Sequence, residues 1–195
     1  MLRNAPYAAL LALAALAAGC SSSPPSSFYT LSRTEAAAAA ASELSVVVGP
    51  VSIPALVDMP QMVVSTGPNQ IQIDEYHRWA SPLASDISRV VAENLVTMLG
   101  TPRVSQFQAL NAPSDYRVAI EVQTFESVPG EAATLNAVWT VRRTKDGKSQ
   151  TGRTKLREAA SDKGYDALVA AHSRALARMS QDIADAVRAL ERSAT

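Results

Sequence analysis

Cysteine occurs once, at Cys20, so no disulfide can form within the chain, and core packing alone must hold an exported protein of this sequence. Histidine occurs twice, at His77 and His172. Neither stands in a Gly-x-Ser-x-Gly, HExxH or Cys/His ligand pattern, and no glycine-rich phosphate loop or ATP-binding motif is present. Hydrolytic, zinc-dependent and nucleotide-driven chemistry therefore lack their usual residue sets, and any energy must come from partners. Excess charge is missing too. The 18 basic residues balance 18 acidic ones, which leaves no electrostatic case for nucleic acid. The apolar run over residues 7–18 is shorter than the roughly 20 residues that a spanning helix needs.

What that run does resemble is a secretory signal: one basic residue, Arg3, then the apolar stretch, then small residues. Ala17, Ala18 and Gly19 lead into Cys20 and resemble the bacterial lipobox, with Ala17 where leucine is usual and Leu16 one step further out. The resemblance implies that residues 1–19 are a signal peptide and that Cys20 is the lipidated N-terminus, its covalent lipid standing in place of any cofactor. An ordinary secretory peptide leaving a free thiol is the alternative. One acyl chain binds a membrane only marginally; the three of a mature bacterial lipoprotein make a lasting anchor. Ser21 follows the cysteine instead of aspartate, which resembles the outer-membrane sorting signal and implies the periplasmic face of that membrane. Removing Arg3 takes 18 basic residues to 17 against 18 acidic ones, so the mature chain is nearly neutral.

Residues 20–27 read as a polar, proline-containing tether, and residues 28–192 as one domain; about 165 residues suffice for a real core. Phe28, Tyr29, Thr30 and Leu31 predict a first strand. The alanine-rich residues 34–43 read as a short helix or a disordered loop; their composition favours helix and their lack of a large apolar face favours exposure. Residues 44–53 predict a buried strand broken at Gly49-Pro50, and residues 62–65 and 71–74 a hairpin around the turn at 66–70. Leu83, Ile87, Val90, Val91, Leu95, Met98 and Leu99 then recur at helical spacing up to Gly100. After Val104 and Phe107, Tyr116, Val118, Ile120 and Val122 alternate as a half-buried strand that slips near Thr124-Phe125. Leu135, Ala137, Trp139 and Val141 alternate likewise, and residues 145–148 turn the chain into a strand over 149–158. From Tyr165 to Leu190 the apolar residues keep helical period for about seven turns. The expected fold is α/β, a mixed, largely antiparallel sheet with two long amphipathic helices packed on it.

The densest chemistry lies at Asp74, Glu75, Tyr76, His77, Arg78 and Trp79. With no nucleophile or metal partner converging on His77, the stretch reads as structural: Asp74 and Glu75 close the hairpin, Tyr76 and Trp79 cover a strand-to-helix corner, and Ser81 caps the helix that Pro82 opens. Tyr76, His77, Arg78 and Trp79 are the partner-binding candidates. His172 falls between Val169 and Leu176 on the last helical stripe and reads as a satisfied, partly buried core histidine.

Five blocks together, V-G-P-V-S-I-P (48–54), D-M-P-Q-M-V (58–63), T-G-P-N-Q-I (66–71), E-Y-H-R-W-A-S-P-L (75–83) and R-V-V-A-E-N-L (89–95), resemble the PqiC/YmbA family of ABC-type transport auxiliary lipoproteins. The resemblance implies a non-catalytic docking role beside an MCE-domain protein and an inner-membrane transport component, in a system that moves lipid between membranes and supports membrane integrity. A lipid carrier with its own apolar cavity and an envelope hydrolase are the alternatives. Ring-forming partners, a short tether and near-zero charge also imply a homo-oligomer.

Overall fold

A computed structural model of the chain describes residues 24–35, 37–106 and 113–193. Cys20, the signal sequence and Phe107 lie outside the described residues. The elements are β1 (Ser27–Tyr29), β2 (Val46–Ser52), β3 (Gln61–Gly67), β4 (Gln70–Trp79), α1 (Leu83–Leu99), β5 (Val104–Gln106), β6 (Tyr116–Val128), β7 (Ala132–Arg143), β8 (Ser149–Ala159) and α2 (Tyr165–Arg192). The expected mixed α/β architecture is present, but the strands divide between two sheets. The larger has the order β5-β2-β6-β7-β8 and the smaller β1-β4-β3.

Strict alternation places Tyr116, Val118, Ile120 and Val122 of β6 and Leu135, Ala137, Trp139 and Val141 of β7 on one buried face. The long β6–β7–β8 ladder is antiparallel, while β2 runs parallel to both β5 and β6. Register shifts fall between Val122 and Thr124 and between Val48 and Val51, the two places where the residue pattern breaks. Helix α1 packs over β2 and β5, α2 over β6, β7 and β8, and the helices touch each other. All seven stripe residues of α1 are buried, as are Leu168, Leu176, Met179, Ile183 and Val187 of α2. Each such side chain contributes about 1.5–3 kcal/mol on burial, so the two stripes hold the helices to the sheet. Where Trp139 crosses to β8 it lies on Gly152, whose added Cβ would stand 2.2 Å from Trp139 Cζ2. The indole N–H donates to Thr154 Oγ1 at 3.0 Å.

Three local expectations are corrected. Strand β1 begins at Ser27, inside the expected tether, and ends at Tyr29. The alanine-rich segment is neither helix nor a free loop in its described part. The Ala39 and Ser42 amides donate to the carbonyls of Thr97 and Gly100 at 3.1 and 2.8 Å, satisfying acceptors that every helix C-terminus leaves open. Gly100 stands there with φ +64, and a Cβ on it would meet the Ala40 carbonyl oxygen at 2.1 Å. Finally, α1 starts with Pro82 at its N-cap and no side-chain cap bond, so Ser81 does not cap it. Instead buried Asp86 in the first turn accepts the Leu31 amide at 2.7 Å and pairs with Arg89, tying the chain after β1 to the helix. No helix among the described residues is long and apolar enough to cross a membrane.

Candidate interaction site at the bulge of strand β4

The hairpin turns between Gly67 and Gln70, inside the expected turn at 66–70, but its second strand runs on through Asp74 to Trp79, so that stretch is strand and not a strand-to-helix corner. Asp74 and Glu75 therefore do not close it. Gln61 of β3 pairs with Arg78 while its neighbour Met62 pairs with Asp74, so Glu75, Tyr76 and His77 have no counterpart on β3. They form a wide bulge, which re-aims side chains and interrupts the ladder.

Asp74 holds that bulge. Its Oδ1 accepts the backbone amides of Tyr76 and His77 at 2.9 and 3.0 Å, and its Oδ2 accepts the Tyr165 hydroxyl of α2 at 2.7 Å. Burial pushes this carboxyl up, but the Tyr165 hydroxyl, the His77 ring and the two amides outweigh burial and hold it down at about 2. The Tyr165 hydroxyl is pushed well above the usual phenol range by burial and by the Asp74 charge. His77 Nδ1 lies 3.0 Å from Asp74 Oδ1. The His77 ring stacks on Tyr165 with centroids 3.9 Å apart and planes at 11°, and Tyr29 of β1 lies on at 5.8 Å. With two amides of the bulge on one oxygen and the α2 hydroxyl on the other, Asp74 is a clamp between β4 and α2.

The four candidate residues consequently part company. Tyr76 is exposed, and Arg78 is half-buried, its guanidinium donating to the Glu75 carbonyl at 2.9 Å and to Glu75 Oε2 at 3.2 Å. His77 is drawn into the stack. Trp79 is buried, edge-on to Phe125 at 6.1 Å, with its amide donating to the Pro60 carbonyl. His172 is fully buried, not partly, and only one nitrogen is satisfied: Nε2 lies 2.8 Å from Ser127 Oγ, while Nδ1 has no partner. Its ring stacks on Phe125 at 3.7 Å, and burial pushes it down to about 3. Sequence reasoning missed the roles of Asp74, Tyr29 and Tyr165, whose contacts join distant parts of the chain. It also missed an apolar groove of about 310 Å³ beneath the β3–β4 hairpin, lined by Pro54, Leu56, Val63, Ile71 and Phe125. A hint was available in the alternation of Ile71 and Ile73 beyond the predicted turn.

A mixed sheet carrying two helices on one face, with a small bulged sheet at its end, is a fold shared with solved proteins. One is an uncharacterized protein with 21% identity and a TM-score of 0.69, the match covering 84% of this chain and 99% of that one. Another is a Xanthomonas campestris protein of the DUF330 family, with 19% identity and a TM-score of 0.63, covering 87% of this chain and 100% of that one. A search of curated proteins finds no match. The model of the ABC-type transport auxiliary lipoprotein component family matches residues 29–184, and the chain belongs to that family.

Proposed function

We propose that the chain is the non-catalytic docking lipoprotein of an MCE-type intermembrane lipid transport system, held at the periplasmic face of the outer membrane by acyl chains on Cys20. The family match over residues 29–184 carries this reading. The lipobox-like end at Cys20 followed by Ser21 supports the anchor and its membrane. The bulge of β4 supports docking, because Asp74 and the Tyr29–His77–Tyr165 stack rigidify a backbone segment that leaves Tyr76 exposed and Arg78 partly so. Tyrosine and arginine are the residue types enriched at the centres of protein interfaces. Under this reading His77 and Trp79 act from beneath, as supports. The groove of about 310 Å³ lies at the small end of ligand sites, which run from roughly 300 to 1,000 Å³, and suits a contact surface better than enclosure of a whole lipid.

Cross-linking in intact envelopes tests the proposal. The wild-type chain should recover an MCE-domain protein, and Tyr76→Ala with Arg78→Ala should lose that product at an unchanged melting temperature. Cys20→Ser should empty the membrane fraction. Wild-type cross-linking that recovers no MCE-domain protein would refute the docking role, and acyl labelling that misses the wild type would refute the anchor.

A further inference from the structure

Strand β1 is parallel to β4, with Ser27 beside His77 and Tyr29 beside Trp79. Strand β4 runs from the hairpin tip at Gln70 towards Trp79, so residues preceding Ser27 leave β1 in the direction of that tip. The distance is limited. From Gln61, the partner of Arg78, to Gly67 is about 20 Å of strand at ~3.3 Å per residue, and Cys20 to Ser27 spans at most about 25 Å. Pro24 and Pro25 favour an extended course of ~3.1 Å per residue. A lipid on Cys20 is thereby brought level with the tip and little farther.

The surface at that end is suited to a membrane. Leu56, Ile71 and Ile73 are 50%, 43% and 43% exposed, and Leu56 and Ile71 rim the apolar groove. Asp58 is the only formally charged residue from Leu44 to Ile73. The polar residues of the tip, Thr66, Asn69, Gln70 and Gln72, are neutral hydrogen-bonding groups. The one acidic residue lining the groove, Glu126, accepts from Ser65 Oγ at 2.8 Å. Apolar side chains with uncharged polar neighbours enter the headgroup zone without desolvating a charge, which is the costly step.

We infer that the β3–β4 hairpin tip and the Leu56 loop form the membrane-apposed end of the molecule, with Leu56, Ile71 and Ile73 seated in the phospholipid leaflet that holds the acyl anchor. The inference rests on the Cys20 anchor proposed above. It orients the molecule: Tyr116 and the C-terminal end of α1, at the other end of the larger sheet, face away from the bilayer.

Because the native cysteine is acylated, a single introduced thiol can be labelled in the full lipidated chain. Ile71→Cys and, independently, Leu56→Cys carry a fluorophore on phosphatidylethanolamine/phosphatidylglycerol vesicles containing a lipid with a nitroxide on its acyl chain; Val96→Cys on α1 is the comparison. Quenching several-fold stronger at positions 71 and 56 than at 96 is the expected result. Vesicles that float the protein while all three labels stay unquenched and open to aqueous iodide would overturn the orientation and leave the anchor standing. Labels at 71 and 56 shielded from iodide yet untouched by the lipid quencher would assign the tip to a second copy or a protein partner, overturning it as well. A chain that does not float would overturn anchor and orientation together.

Discussion

Replacing Asp74 by Asn keeps the size of the side chain and removes the charge that receives the Tyr165 hydroxyl and the two bulge amides. An ordinary aspartate near 3.8 held down at about 2 corresponds to roughly 2–2.5 kcal/mol at 1.36 kcal/mol per pH unit. The Asp74 side chain is 14% exposed; with a discount for partial solvent screening, about 1–2 kcal/mol is expected. The folded-state value is depressed, so this stability is fully present above the unfolded value and disappears as pH falls from about 5 towards 2. Thermal unfolding of wild type and Asp74→Asn from pH 7 to pH 2.5 should show a gap of that size that closes on acidification. Tyr165→Phe removes the other partner of a charge-assisted hydrogen bond, and the double-mutant cycle should show coupling of about 1 kcal/mol or more. Because Asp74 shapes the backbone that presents Tyr76, Asp74→Asn should also weaken partner cross-linking. A stability gap unchanged between pH 7 and pH 3, or additive single mutants, would refute the clamp.

Gly152→Ala should destabilise by about 1–3 kcal/mol, since the new methyl would stand 2.2 Å from Trp139; denaturant melts report it, and a neutral result would mean that the indole moves freely. His172, pushed down to about 3 by burial, leaves the unfolded chain binding the extra proton, so stability should fall as pH drops from about 6.5 towards 3. His172→Phe should remove that slope while lowering stability near pH 7 through the unpaired Ser127 hydroxyl, and a persisting slope above pH 5 would place its origin elsewhere. Freed of residues 1–20, the domain should self-associate at high concentration. Sedimentation across a concentration series checks this, and repeating it with His77→Ala and Arg78→Ala shows whether the bulge takes part.

Local pattern was enough for the elements whose one face is buried. The α1 stripe from Leu83 to Leu99, the α2 stripe and the alternation of Tyr116 to Val122 are legible because burial of one face imposes a period of 3.6 or 2 on consecutive residues. The lipobox-like end at Cys20 is legible because it is a contiguous signal. Tertiary structure decided the rest. Residues 74–79 read locally as the close of a hairpin and a strand-to-helix corner, yet β1 and β3 pair with them from either side and make them strand. The alanine-rich segment has helical composition, but its described amides answer the open carbonyls at the end of α1. Asp74 and Tyr165 meet although 91 positions separate them, and no period marks such a pair. Tyr76 and Trp79 stand three residues apart, one at the surface and one in the core; an odd spacing on a strand puts them on opposite faces, and only the pairing with β1 and β3 shows that both lie on a strand. A sequence records how often a face is buried; which polar group finds which partner depends on the path of the chain between them.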